Sequence, residues 1–90
     1  MTGRPERVVL TLYYREGCHL CQDMLQALRG LQSYPQLDIR PVDIDRDPVL
    51  RRRWDEWVPV LCSAAGEEIC HHFLDPQALA RHLAGRPPAG

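Results

Sequence analysis

The hydrophobic pattern of this 90-residue chain alternates between two periods. Val8 to Tyr14 is an unbroken run of β-branched, leucine and aromatic residues, the length of a strand covered on both faces. Arg15-Glu16-Gly17 interrupts it. Cys21, Met24, Leu25, Leu28 and Leu31 then recur at spacings of three and four, which predicts a helix with one apolar face, closed by Gly30, Ser33 and Pro35. Leu37 to Ile44 alternates and reads as a second strand, near a sheet edge because Pro41 has no N–H for a ladder. Asp47-Pro48 supplies an N-cap and a proline at the first helical position, opening a short helix that carries Val49, Leu50 and Trp54. Trp57 to Cys62 predicts a third strand, Ser63-Ala64-Ala65-Gly66 a turn, and Glu67 to Phe73 a fourth strand. Asp75-Pro76 repeats the helix-start signal, and Leu79 and Leu83 mark the buried face of a last helix ending at Gly85.

The order is β-α-β-α-β-β-α. Strands alternating with helices predict a parallel pair, and the four-residue turn predicts an antiparallel hairpin. The expected architecture is α/β, a four-stranded mixed sheet flanked by helices. One domain over residues 1–90 is expected, with flexible tails over about 1–7 and 86–90, which have nothing to bury.

Composition narrows the function. Eleven basic residues, all arginine, face 12 acidic ones, for a formal net charge of -1, which gives no electrostatic case for nucleic-acid binding. Arg51-Arg52-Arg53 is interleaved with nearby carboxylates and reads as a solvated helix surface. The absence of lysine excludes Schiff-base chemistry through a lysine side chain. No apolar run approaches the roughly 20 residues of a membrane span. Residues 1–7 lack the apolar stretch of a secretory leader, so a soluble cytoplasmic monomer is expected.

Four cysteines in such a compartment point to redox or metal chemistry rather than to a disulfide framework. Only Cys18 and Cys21 are close, and their spacing alone is weak evidence. Their position is the stronger signal: a loop that follows a buried strand and enters a helix. A helix N-terminus favours the thiolate, and Arg15 and His19 are candidate cations beside Cys18. Cys21, one turn deeper on the apolar stripe, should be less exposed. That asymmetry suits a Cys18 that attacks and a Cys21 that resolves.

Tyr13-Tyr14-Arg15-Glu16-Gly17-Cys18-His19-Leu20-Cys21 resembles the active-site strand and helix start of glutaredoxins, and Trp57-Val58-Pro59-Val60-Leu61 resembles their later segment around a cis-proline. With the element order, the chain resembles the small glutaredoxin-like, thioredoxin-fold proteins of bacteria over about residues 8 to 84. The resemblance implies a thiol–disulfide oxidoreductase, with Cys18 as the attacking and Cys21 as the resolving cysteine. It further implies a cis Val58–Pro59 bond against the cysteine loop, a Val58 backbone offered to a bound peptide or glutathione, and a substrate-binding Arg15. Implied partners are disulfide-containing proteins or small thiols. No bound cofactor is implied, with glutathione as the candidate co-substrate. Several positions depart from the pattern. His19-Leu20 replaces the usual dipeptides, Trp57 stands where threonine is common, and Cys70-His71-His72-Phe73 stands where glutaredoxins carry a glycine pair that admits glutathione.

Two other functions compete. Cys18, Cys21, Cys70, His71 and His72 are enough soft ligands for a zinc or iron–sulfur site, although adjacent histidines on a strand point to opposite faces, and no metal ligand is assigned. The scaffold can also serve as an interaction module without turnover. Cys62 and Cys70 lie on the two arms of the hairpin but out of register, and are expected to remain reduced packing thiols. Trp54 is expected in the core and Trp57 on a hydrophobic rim beside the site.

Overall fold

A computed structural model describes residues 7–31, 34 and 36–84. The strand β1, Val8–Tyr14, is central, because its residues are apolar on one face and half-buried on the other. The helix α1 spans His19–Arg29, the strand β2 Leu37–Asp43, and a single 3-10 turn Ile44–Arg46 leads into α2, Pro48–Trp54. The hairpin strands β3, Val60–Ser63, and β4, Glu68–His71, precede α3, Pro76–Ala84. The sheet order is β2-β1-β3-β4, with β1 and β2 parallel and the other neighbours antiparallel. The expected mixed α/β sheet is present, and Pro41 lies on an edge strand. The expected tails over 1–7 and 86–90, and the helix end at Gly85, fall outside the described residues apart from Arg7.

The two faces of the sheet bury different cores. Val8, Leu10, Leu12, Leu61 and Cys70 pack with Met24 and Leu28 of α1 and Leu79 of α3. Tyr13, Val60 and Cys62 face the other way, toward Ile44, Leu50 and Trp54. Each fully buried leucine or methionine contributes roughly 1.5–3 kcal/mol, so α1 is held by its one apolar stripe. Trp54 is buried as expected and stacks on Tyr13, with ring centroids 5.6 Å apart.

Three element boundaries differ from the sequence reading, each for a hydrogen-bonding reason. Ile44 leaves the second strand because Asp43 accepts from the Asp45 N–H and winds the chain into the 3-10 turn. The third strand begins at Val60 rather than Trp57. The N–H groups of Trp57 and Val58 both donate to the Trp54 carbonyl, and Pro59 has none, so no ladder can start earlier. The fourth strand stops at His71. His72 takes a positive φ of 64°, its N–H donates to the Pro59 carbonyl, and the Phe73 N–H turns back to His71. The turn of the hairpin forms as expected. Gly66 adopts a φ of 90°, a conformation open to glycine at no steric cost, and Ser63 Oγ accepts from the Glu67 N–H.

Candidate active site

The loop between β1 and α1 turns on Gly17, whose φ of 76° requires a residue without Cβ strain. The turn delivers Cys18 to the N-cap of α1, with extended backbone angles of -89° and 108°. There the Cys21 N–H donates to Cys18 Sγ at 3.1 Å, and the Cys18 carbonyl accepts the first helical bond from Gln22. The sulfur thus takes the place that a serine or aspartate oxygen usually holds at a helix start, on one of the N–H groups left without a helical partner.

Cys18 and Cys21 are joined as a disulfide, their Cα atoms 5.2 Å apart. Their surroundings differ as the sequence implies. Cys18 is half-buried, whereas Cys21 is 4% exposed on the stripe that also holds Met24 and Leu28. A cleft of about 230 Å³ opens beside the pair, between α1 and the β1–β2 edge; Leu12, Tyr14, Leu25 and Pro41 line it together with both cysteines.

The two candidate cations near Cys18 each have carboxylate partners. Arg15 lines the same cleft as Cys18, with its charge shared by two aspartates. Its guanidinium is hydrogen-bonded to Asp45 of the 3-10 turn at 3.0 Å and to Asp55 just past α2. These bonds, first that to Asp45, hold the guanidinium's pKa above its ordinary value. Arg51 also approaches Asp45, at 3.4 Å. The carboxylates that engage Arg15 belong to elements remote in sequence, so spacing along the chain carries no signal for them. His19 is turned outward, its imidazole 3.6 Å from Asp23 one helical turn on.

The Val58–Pro59 peptide is cis. Val60 pairs with Tyr13, so this peptide lies at the C-terminal end of β1, the end from which the chain runs through Gly17 to Cys18. The Val58 N–H is taken by the Trp54 carbonyl at 3.1 Å, so the backbone contact expected of Val58 reduces to its carbonyl.

His71 and His72 do not point to opposite faces. Because β4 ends between them, both rings gather on Trp57, with centroids 5.1 and 6.1 Å from it and 4.9 Å from each other. His71 pairs with Glu68, and His72 Nε2 meets the Glu56 carbonyl at 3.0 Å. Trp57 itself is 47% exposed. Only the positive φ of His72 brings these rings together, and the sequence carries no signal for it. Among the described residues, no three His, Cys, Asp or Glu side chains converge as a metal-ligand group.

Cys62 and Cys70 are free and buried. A register shift between Leu61 and Cys62 sets Leu61 opposite Cys70 but Cys62 opposite Glu68. The two thiols consequently face different cores. Burial pushes the Cys62 thiol up to about 11, with the Glu68 carboxylate adding to the effect, and burial raises the Cys70 thiol as well. No helix among the described residues is long and apolar enough to cross a membrane.

Comparison with known proteins agrees with this geometry. Protein Ne2328 from Nitrosomonas europaea, solved by solution NMR, is 36% identical with a TM-score of 0.78, the match covering 91% of this chain and 98% of that one. The X-ray structure of the target protein XcR50 from X. campestris is 35% identical with a TM-score of 0.65, covering 87% and 99%. Oxidized mitochondrial thioredoxin 3 from Saccharomyces cerevisiae, at 20% identity and a TM-score of 0.58 over 91% and 81%, shares the fold. No curated protein sequence matches. The family model described as the glutaredoxin-like domain (DUF836) matches residues 9–84. With a four-stranded mixed sheet and three α-helices among the described residues, and a Cys18–Cys21 pair at the start of α1, the chain belongs to this glutaredoxin-like family and has a thioredoxin-like fold.

Proposed function

We propose that the protein is a thiol–disulfide oxidoreductase whose redox couple is Cys18–Cys21. The observation that carries this reading is the unequal placing of the two sulfurs: Cys18 is half-buried at the helix cap with an N–H aimed at its sulfur, and Cys21 is buried one turn further in. In the reduced protein that N–H and the helix dipole favour a Cys18 thiolate. The thiolate attacks one sulfur of a substrate disulfide, forming a mixed disulfide and releasing the other sulfur as a thiolate. Cys21, deprotonated in turn, attacks Cys18 Sγ and expels the second substrate thiolate. Two electrons pass from the dithiol to the substrate, and the Cys18–Cys21 disulfide remains. The carbonyl of Val58, beside cis-Pro59, is the backbone acceptor offered to the bound chain. The reaction needs no bound cofactor and suits a reducing compartment such as the cytoplasm.

Equilibration of the protein in dithiol and glutathione redox buffers, with the oxidised fraction read by mass after alkylation, tests the reading. One two-electron transition confined to Cys18 and Cys21 is expected. A pair that stays oxidised or reduced across the whole range of buffers counts against turnover and in favour of an interaction module.

A further inference from the structure

The cleft beside the disulfide is built for an apolar group. Leu12, 1% exposed, lies at the inner end of its lining, with Tyr14 and Leu25 half-buried around it and Pro41 exposed at the β2 edge. Cys18 and Cys21 are part of the same lining, so a group seated in the cleft lies against the reacting sulfurs. The cleft is on the β2 flank of β1, whereas Val58 and Pro59 enter β3 on the other flank. A polypeptide joined to Cys18 and touching Val58 therefore meets a second, separate contact surface on the far side of the cysteines.

Charge at the mouth narrows the occupant. Arg15 lines the cleft, but Asp45 and Asp55 already engage its guanidinium. Glu16, exposed at the same mouth, stands outside every ion pair among the described residues. The uncompensated charge beside Cys18 is negative. It repels a carboxylate-bearing small disulfide such as oxidised glutathione and attracts a basic side chain.

We infer that the cleft is a side-chain subsite for polypeptide disulfides, taking a bulky aliphatic residue next to the substrate cysteine, with a basic residue flanking it. The inference rests on the oxidoreductase reading and specifies its substrate class. Burial of one aliphatic side chain in a fitted pocket is worth about tenfold or more in rate.

Single-turnover reduction by the pre-reduced protein tests this with blocked peptide disulfides of Cys-Leu-Arg, Cys-Ser-Arg and Cys-Leu-Glu, with oxidised glutathione, and with hydroxyethyl disulfide as an uncharged control. Cys-Leu-Arg is expected to react about tenfold or more faster than Cys-Ser-Arg, and faster than Cys-Leu-Glu or oxidised glutathione. Glu16→Lys should invert the preference between the arginine and glutamate peptides, and Leu25→Gln should lower the leucine-to-serine ratio. Equal wild-type rates for the leucine and serine peptides, with hydroxyethyl disulfide reduced normally, overturn the subsite alone, whether or not either variant folds. Failure to reduce any probe, the control included, overturns the oxidoreductase reading and the subsite with it.

Discussion

Arg15 Nη2 lies 3.0 Å from Asp45 Oδ1, a contact between residues thirty positions apart that ties the segment leading to Cys18 to the 3-10 turn after β2. With Asp55 on the same guanidinium, the approach to the cysteine pair is anchored to the elements on the opposite face of the sheet from α1.

Arg15→Ala should therefore act on the scaffold more than on the sulfur. The expected result is a small loss of stability, seen as a lower urea midpoint in dilute buffer, with the gap from wild type narrowing at high salt as the exposed charges are screened. The alkylation midpoint of Cys18 should move by less than about half a pH unit, because the guanidinium is partly exposed where Asp45 and Asp55 hold it and solvent screens its field at the sulfur. A larger shift would show that the guanidinium reaches the thiolate once the disulfide is reduced.

In the reduced protein, Cys18 should be alkylated before Cys21, with a pH midpoint below the free-thiol value of about 8.5. Cys21→Ser should accumulate mixed disulfides through Cys18, and Cys18→Ser almost none. Peptide mapping after a timed alkylation pulse reads both. Equal labelling of the two thiols at the free-thiol midpoint would indicate an inert pair.

Cys62 makes the fold sensitive to alkali. Its thiol is held near 11 in the folded state, well above the ordinary range of a free thiol. A group whose folded pKa is raised contributes its stability below the unfolded value and loses it as pH rises through the folded one. The urea midpoint should fall between pH 9 and 11 and level off above that range. Cys62→Ala should cost about 1–2 kcal/mol at neutral pH, for a smaller side chain at a site with almost no exposure, and should flatten this alkaline loss. An unchanged slope in the variant would assign the loss to another group.

Asp75 starts α3 by accepting from the N–H groups of Gln77 and Ala78, each at 3.1 Å. Asp75→Ala should cost about 1 kcal/mol, and Asp75→Asn should keep most of that, as cap residues do. Thermal unfolding of the two variants side by side checks the difference.

The parts of the fold that were legible in the sequence are those set by local chemistry. The apolar run of β1, the stripe of α1 and the two Asp-Pro starts each follow from residues within a few positions of one another. The placing of Cys18 at a helix cap was legible for the same reason. What was not legible depends on partners far along the chain. Asp45 and Asp55 engage Arg15, the Trp54 carbonyl takes the N–H groups of Trp57 and Val58, and the reversal at His72 gathers two imidazoles on Trp57. Spacing along one strand cannot report a strand that ends early. The register that sets Cys62 opposite Glu68 keeps it out of step with Cys70, as expected, but the bulge behind it leaves no mark in the residues themselves.

The sheet also sorts the cysteines. Four cysteines admit three complete pairings. The one that keeps Cys18 with Cys21 needs a bond between Cys62 and Cys70, whose side chains lie on opposite sides of a continuous hydrogen-bonded layer. The other two need Cys62 to reach a cysteine of the β1–α1 segment, although its side chain points into the core beneath α2 and α1 packs on the reverse side. A second bridge within the folded molecule is closed by topology. An oxidant that forms disulfides meets a protein with room for one bridge, a store of two electrons and no more.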